Sequence, residues 1–442
     1  MKPLFSKYWD HLRSSFWFLP SLMVSGAAAL AFAAVAIDEH VPFKSLTALD
    51  WIYSGGAEGA SAVLQTIASS MVSITGVVFS MTLVALTLAS SQFGPRLLRN
   101  FMRDTVNQVV LGTFIATFLY SLLVLRTIRR ADESGFVPHV AVTLGLGFAL
   151  TSVCVLIYFI HHVAVSIQVE EIIVRVSQEL AQGIDRLFPT QVGRGGATEP
   201  GPAEELGAIA SGFGPVHSPA AGYLQFIDTE AVLGLAKETD TVVRIARHPG
   251  AYLNPGSLIA EVSPARCLDE AYIRRLAAAF VLGKQRTPAQ DLEFPLHELV
   301  EIAVRALSPG VNDPFTAMSC VDRLGTALCS LAEREPPSPL RADDEGRLRI
   351  IAPVLTFRRI ADEAFNQIRQ NARGNCAVTL RLLETLATIA RRTTCREHLA
   401  TLRQHAEMII RGAREALAEP QDRASAEDRF ELVSQLTAPA GT

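Results

Sequence analysis

The chain has 442 residues, 49% of them hydrophobic and only 19% charged, with a mean hydropathy of +0.26. That balance is too apolar for a protein without a membrane part, and a formal net charge of −4 gives no overall basic footprint for nucleic acid. The length alone suggests two or three domains.

Lys2, Lys7 and Arg13 make a basic lead into the first uncharged apolar stretch, Phe16 to Ile37. Ala34-Val35-Ala36 has the small-residue spacing of a cleavage site, but the apolar run is longer than a signal core and follows a long polar lead, so it reads as a retained span. Three further uncharged stretches follow: Thr66 to Phe93, Asn107 to Leu125 and Pro138 to Ile160. Each can cross a hydrocarbon core of about 30 Å as a helix.

The second stretch carries the main functional signal. On a helix at about 100° per residue, Ser69, Ser73, Gly76, Ser80, Thr87 and Ser91 fall on one narrow face, interrupted only by Leu83. A seam of small polar residues needs something to face. It can pack against another helix, where small residues let backbones approach closely, or line a pore, where hydroxyls replace hydration.

Lys and Arg in the short flanks set the expected orientation. The basic lead and the loop with Arg96, Arg99 and Arg103 belong on the cytoplasmic side, while the loop from Asp38 to Gln65 is acidic. Arg126, Arg129 and Arg130 dissent, on the expected outer side. Four spans place both termini in the cytoplasm. None of the six cysteines falls in an expected external loop, and no CxxC pair or Cys/His cluster suggests a disulfide framework or a structural zinc.

Past the fourth span, His161 and His162 read as interface anchors, being about 100° apart on a helix and unable to chelate as a pair. Val169, Ile172, Val176, Leu180, Ile184 and Leu187 then make an amphipathic stalk, ended by Pro189. A Gly/Pro-rich linker follows. Tyr223 to Ile227, Thr241 to Ala246 and Ser257 to Val262 are β-rich. The phrase PGAYLNPGSLIAEV resembles the small β units of biotinyl/lipoyl-type barrel-sandwich domains, but no lysine sits in a carrier-type hairpin. It therefore reads as an assembly module, and no cofactor is expected. Helix-spaced apolar residues then run through Leu268 to Leu282, Leu292 to Leu307, Phe315 to Ala332, Ile350 to Ala372, Val378 to Arg392 and Glu397 to Leu417. A Pro-rich charged break (Glu333 to Gly346) divides them, and the polar stretch from Glu419 reads as frayed.

The most distinctive soluble motif is RALSPGVNDPFTA, Arg305 to Ala317. Ser308-Pro309-Gly310 stops one helix, and Asp313-Pro314 starts the next with a carboxylate cap and a first-turn proline. Arg305 and Asn312 are left unexplained by that account. Upstream, Arg286, Gln290 and Asp291 lie between two helices. If the chain folds back there, they meet the Asn312-Asp313 cap in one polar cluster able to hold a cation or a ligand's donor groups; the alternative is an ordinary interhelical salt bridge. No Walker loop, GxSxG elbow, HExxH or helix-opening GxGxxG occurs, and the spans carry no Asp, Glu, Lys or Arg for proton coupling. No catalysis is expected.

Taken together, SITGVVFSMTLVALTLASSQFGPRLLRNF, FIHHVAVSIQ, RTPAQD and RALSPGVNDPFTA resemble a family of bacterial predicted membrane proteins catalogued as a domain of unknown function. The resemblance covers most of the chain and implies an inner-membrane protein with an intracellular domain; it implies no activity. The expected architecture is mainly α: a four-helix transmembrane domain (1–162), a helical stalk (163–188), a linker (189–221), a small β module (222–264) and a helical cytoplasmic domain (265–442). The leading functional expectation is a homo-oligomeric inner-membrane channel or pore-like protein in the lipid bilayer, passing a small ion, with the cytoplasmic domain assembling and gating it. The rival is a membrane-anchored regulatory or scaffold protein whose cytoplasmic domain binds a ligand or partner.

Overall fold

A computed structural model describes residues 17–40, 52–93, 105–129, 136–166, 168–188 and 212–438. The chain divides into two compact units, Met1–Glu171 and Ile172–Thr442.

The N-terminal unit holds four helices long and apolar enough to cross a membrane: α1 (Phe18–His40), α2 (Ala57–Phe93), α3 (Thr105–Leu125) and α4 (His139–Ser166). Of these, α3 is the central one, packing on the other three, and most of its length is buried. Ala27, Ala31 and Ala34 of α1 give it a flat face, and Gly112 lies against Pro20, where a Cβ would come within 3.2 Å of the Pro20 Cα. On α2, Ala60, Leu64, Ile67, Met71, Val78 and Ala85 form the buried stripe. Polar groups on α3 are spent inside the unit. Tyr120 donates its hydroxyl to the Ala141 carbonyl at 2.9 Å, and the Thr117 and Ser152 hydroxyls meet at 3.1 Å. At the same end as the Tyr120–Ala141 bond, Asp38 caps the start of α4. Its two carboxylate oxygens accept the Val140 and Ala141 backbone N–H groups at 2.9 Å each, a helix cap supplied from a different helix.

The C-terminal unit begins with α5 (Val169–Leu187), which buries Ile172, Ile173, Val176, Leu180 and Ile184. The amphipathic stripe read as a stalk is thus covered by its own domain: a Cβ on Gly183 would come within 2.9 Å of Leu292, and Arg334 donates to the Phe188 carbonyl at 2.7 Å. Its buried apolar face favours this packing over an extended stalk.

The β region is larger than residues 222–264. Strands β1 (Gly214–His217), β5 (Leu258–Ser263), β3 (Val242–Ile245), β8 (Leu348–Ile351) and β7 (Leu340–Ala342) form one sheet in that order, and β4 (Tyr252–Leu253), β2 (Gly222–Ile227) and β6 (Phe280–Gly283) a second. Helices α6 (Thr229–Glu238) and α7 (Glu270–Ala278) lie in the same stretch. Two expectations are corrected here. The C-terminal part of Leu268 to Leu282 is strand β6, and the Pro-rich break holds β7, which forms a hairpin with β8 just beyond it; β8 takes the start of the expected helix Ile350 to Ala372 and pairs in parallel with β3. The reason for the hairpin is electrostatic as well as apolar: Arg349, almost fully buried, donates to Asp343 and Asp240 at 2.7 Å each.

Beyond the sheets, α8 (Glu293–Ala306), α9 (Pro314–Ala332), α10 (Phe357–Asn371), α11 (Cys376–Ala390), α12 (Arg396–Ala416) and α13 (Pro420–Leu436) pack together. The last of these corrects the frayed tail. Pro420 opens α13 at its first turn, and Ala426 and Val433 seat it on α11 and α12.

Candidate functional site

The seam on α2 lies on the face opposite the buried stripe. Ser69, Ser73, Gly76, Ser80 and Thr87 are all exposed, and the Ser91 side chain lies outside the described residues. Each described hydroxyl donates back to its own helix: Ser69 to Thr66 (3.1 Å), Ser73 to Ser69 (3.1 Å), Ser80 to Gly76 (2.9 Å) and Thr87 to Leu83 (2.7 Å). That geometry satisfies the O–H donors and leaves oxygen lone pairs on the outside. A Cβ on Gly76 would meet nothing within 4 Å. Beside the seam runs a groove of about 680 Å³, lined by Ser73, Gly76, Ser80, Met81, Val84 and, from α4, Val163 among others. The contrast with α3 lies in burial: Thr117 and Tyr120 of α3 are buried and reach Ser152 and Ala141 of α4, whereas the α2 seam is exposed.

The second candidate site divides in two. Arg286 grips Asp291 with both arms, Nε to Oδ2 at 2.7 Å and Nη2 to Oδ1 at 2.9 Å. Gln290 clamps the Ile227 backbone, accepting its N–H at 2.9 Å and donating to its carbonyl at 3.1 Å. Asn312 and Asp313, in contrast, sit beyond the far end of α8. That helix has 14 residues, so about 21 Å separates its ends. Arg305 pairs with Glu301 at 3.4 Å on the same helix. Asp313 caps α9, accepting the Thr316 N–H at 3.1 Å and its hydroxyl at 2.6 Å, and these bonds hold its carboxyl below the usual range against the effect of burial. Asn312 has a φ of +48°, a left-handed turn residue donating its N–H to Ser308. The single cluster expected from a fold-back does not form, because the intervening α8 holds its two halves apart.

Other residues join Arg286 and Asp291. The Arg286 Nη1 donates to His297 Nδ1 at 3.0 Å, which leaves Nε2–H of His297 to donate to Glu363 at 2.7 Å. Glu293 accepts from Arg359 at 2.5 and 3.3 Å, and Arg359 donates on to His248 Nε2 at 2.7 Å. Burial pushes Glu293 up, yet the Arg359 hydrogen bond and charge outweigh it and hold the carboxyl below its ordinary value. Gly250, at φ +93°, lets the β3–β4 loop close on this network; a Cβ there would lie 2.4 Å from Asp291 Oδ2. Arg359 and Glu363 could not be linked to Arg286 from sequence, because α10 is about 70 residues downstream, and His248 reaches the network from the β3–β4 loop. The network ties the sheets to the helices and satisfies its own donors. Among the described residues, no group of three or more His, Cys, Asp or Glu is placed to hold a metal ion.

Residues 13–388 match the family described as predicted membrane protein (DUF2254). The chain belongs to the DUF2254 family. An uncharacterised protein of Mycobacterium bovis is 33% identical over 430 residues, which cover 94% of this chain and 79% of the relative. An uncharacterised protein of Mycobacterium tuberculosis strain H37Rv matches with the same identity and coverage, and one from strain CDC 1551 is 32% identical over the same length. No solved structure is significantly similar to this DUF2254 chain. The family match agrees with the four apolar helices and makes this a membrane protein of mainly helical fold.

Proposed function

We propose that this DUF2254 protein is the protomer of a homo-oligomeric channel in the bacterial plasma membrane, with α2 facing the pathway and the C-terminal unit on the cytoplasmic side assembling and gating it. The observation that carries the reading is the exposed hydroxyl seam of α2, with its donors tied back to the helix and its acceptor lone pairs outward. Such a lining accepts hydrogen bonds from water and coordinates cations, so the path favours cations over anions. Met81, Val84 and Leu88 narrow the groove with apolar side chains, and a ring of them closes a pore by expelling water. The test is ion flux through proteoliposomes of purified protein. Wild type conducts, and Ser80→Leu, on an exposed position that carries no packing, folds normally and loses most of the flux; equal flux in the two counts against a pore on this face.

The scaffold alternative, in which the seam only packs copies together, draws on the same exposed face. It predicts oligomers without flux, so the one preparation separates the two.

A further inference from the structure

The α10–α12 seam of the C-terminal unit holds a group of arginines that the proposed channel does not use. Arg369 lies in the last turn of α10, partly buried, and Arg373 follows one turn later. Arg373 runs over Gly412 of α12, where a Cβ would come 3.5 Å from its Nε, and it pairs with Glu415. Arg411, exposed, precedes Gly412 on the same helix. The positive charges of Arg373 and Arg411 both bear on Arg369, and together with burial, the larger influence, they push its guanidinium below the ordinary arginine value.

The nearby carboxylates leave two of the three arginines without a salt bridge. Glu407, one turn before Arg411, pairs with Arg403 at 3.3 Å, and Glu415, one turn after it, is held by Arg373. Among the described residues neither Arg369 nor Arg411 has a salt bridge. The Arg369 Nε is buried and has no acceptor, and the one side-chain bond of that guanidinium is a long one, 3.5 Å to Asn366. The carbonyls at the end of α10 offer a partial negative charge, which does not supply the acceptor that Nε lacks. A partly buried guanidinium beside two others, with its buried Nε donor left over, is completed by an anion. The planar forks of arginine fit the oxygens of phosphate better than a point charge would.

We propose that Arg369, Arg373 and Arg411 form a binding site for a doubly charged oxyanion of the phosphate class, whether a free phosphate compound or a phospholipid headgroup. This site is independent of the channel reading and stands if no flux is found.

The probe is inorganic phosphate against chloride at matched ionic strength, on full-length protein in detergent. Melting is followed, in full-length protein keeping Cys320 alone of its six cysteines, by reaction of a thiol dye with Cys320, which is fully buried in α9 and reports on this unit. At a hundredfold excess of phosphate over its dissociation constant, the melting temperature rises by about 5 °C. Both Arg369→Met and the surface variant Arg411→Gln, which has no core role, abolish the rise. A second arm compares phosphatidylcholine nanodiscs with and without phosphatidate. A rise confined to phosphatidate and lost in both variants assigns the site to a lipid headgroup. The proposal is overturned if neither probe shifts wild type, or if the shift survives in both variants.

Discussion

Removing the Asp291 carboxylate tests whether the Arg286 network joins sheets to helices as an energetic unit. Asp291 is 2% exposed and the Arg286 side chain 16%. Breaking a buried pair from one side leaves a charge uncompensated and costs about 3–5 kcal/mol. Arg286 keeps His297 and, at 3.9 Å, Glu293, so the low end applies, about 3 kcal/mol. At about 2–4 °C per kcal/mol for a unit of this size, Asp291→Ala lowers the melting temperature of the C-terminal unit by about 6–12 °C. Arg286→Met alone is as harmful, since it strands a buried carboxylate. The double variant removes both charges and costs only about 1 kcal/mol where additive losses would give about 6, as expected when an ion pair is exchanged for apolar groups. Thermal unmasking of Cys320 in the four proteins measures the cycle. Strictly additive losses would refute the argument, because they would mean that the two side chains stabilise the fold separately.

Two further outcomes follow from local geometry. The hydrogen bond from Arg349 holds Asp343 at about 2 against the effect of burial, so its folded value lies below its unfolded one. The stability it contributes is complete above the ordinary aspartate range and is lost as pH falls from about 4 toward 2; Asp343→Asn flattens acid unfolding in that window, which urea titrations at stepped pH measure. In the N-terminal unit, Asp38→Ala strands two N–H groups at the start of α4 and destabilises the bundle by about 1–2 kcal/mol, read as a lower melting temperature in detergent, while Asp38→Asn recovers part of it.

The membrane part was legible because long uncharged runs have one physical explanation, and the α2 seam because side-chain period alone places Ser73, Ser80 and Thr87 together. Sequence could not say whether that seam packed inside the bundle; the answer lay in α3, whose Thr117 and Tyr120 supply the internal polar contacts instead. Most soluble helices were equally readable from their apolar spacing. What escaped were elements whose reason lies far along the chain. β8 is four residues long and becomes a strand through its pairing with β3, about 100 residues earlier. Only two buried residues, Ala426 and Val433, mark the packed side of α13, too few for a periodic signal. Likewise Arg286 and Asp291 pair with each other, but their link to Arg359 and Glu363 needed α10 in place, and Asn312 and Asp313 are turn and cap.

The most direct test of the channel is whether water reaches the α2 seam inside a conducting oligomer. Ser80→Cys, in a background without the native cysteines, is reconstituted and its cation flux recorded before and after a membrane-impermeant thiol reagent. The account predicts flux that the reagent blocks at Ser80→Cys and leaves intact in the cysteine-free parent. Flux that persists after complete labelling of Ser80→Cys would contradict it and place the pathway elsewhere.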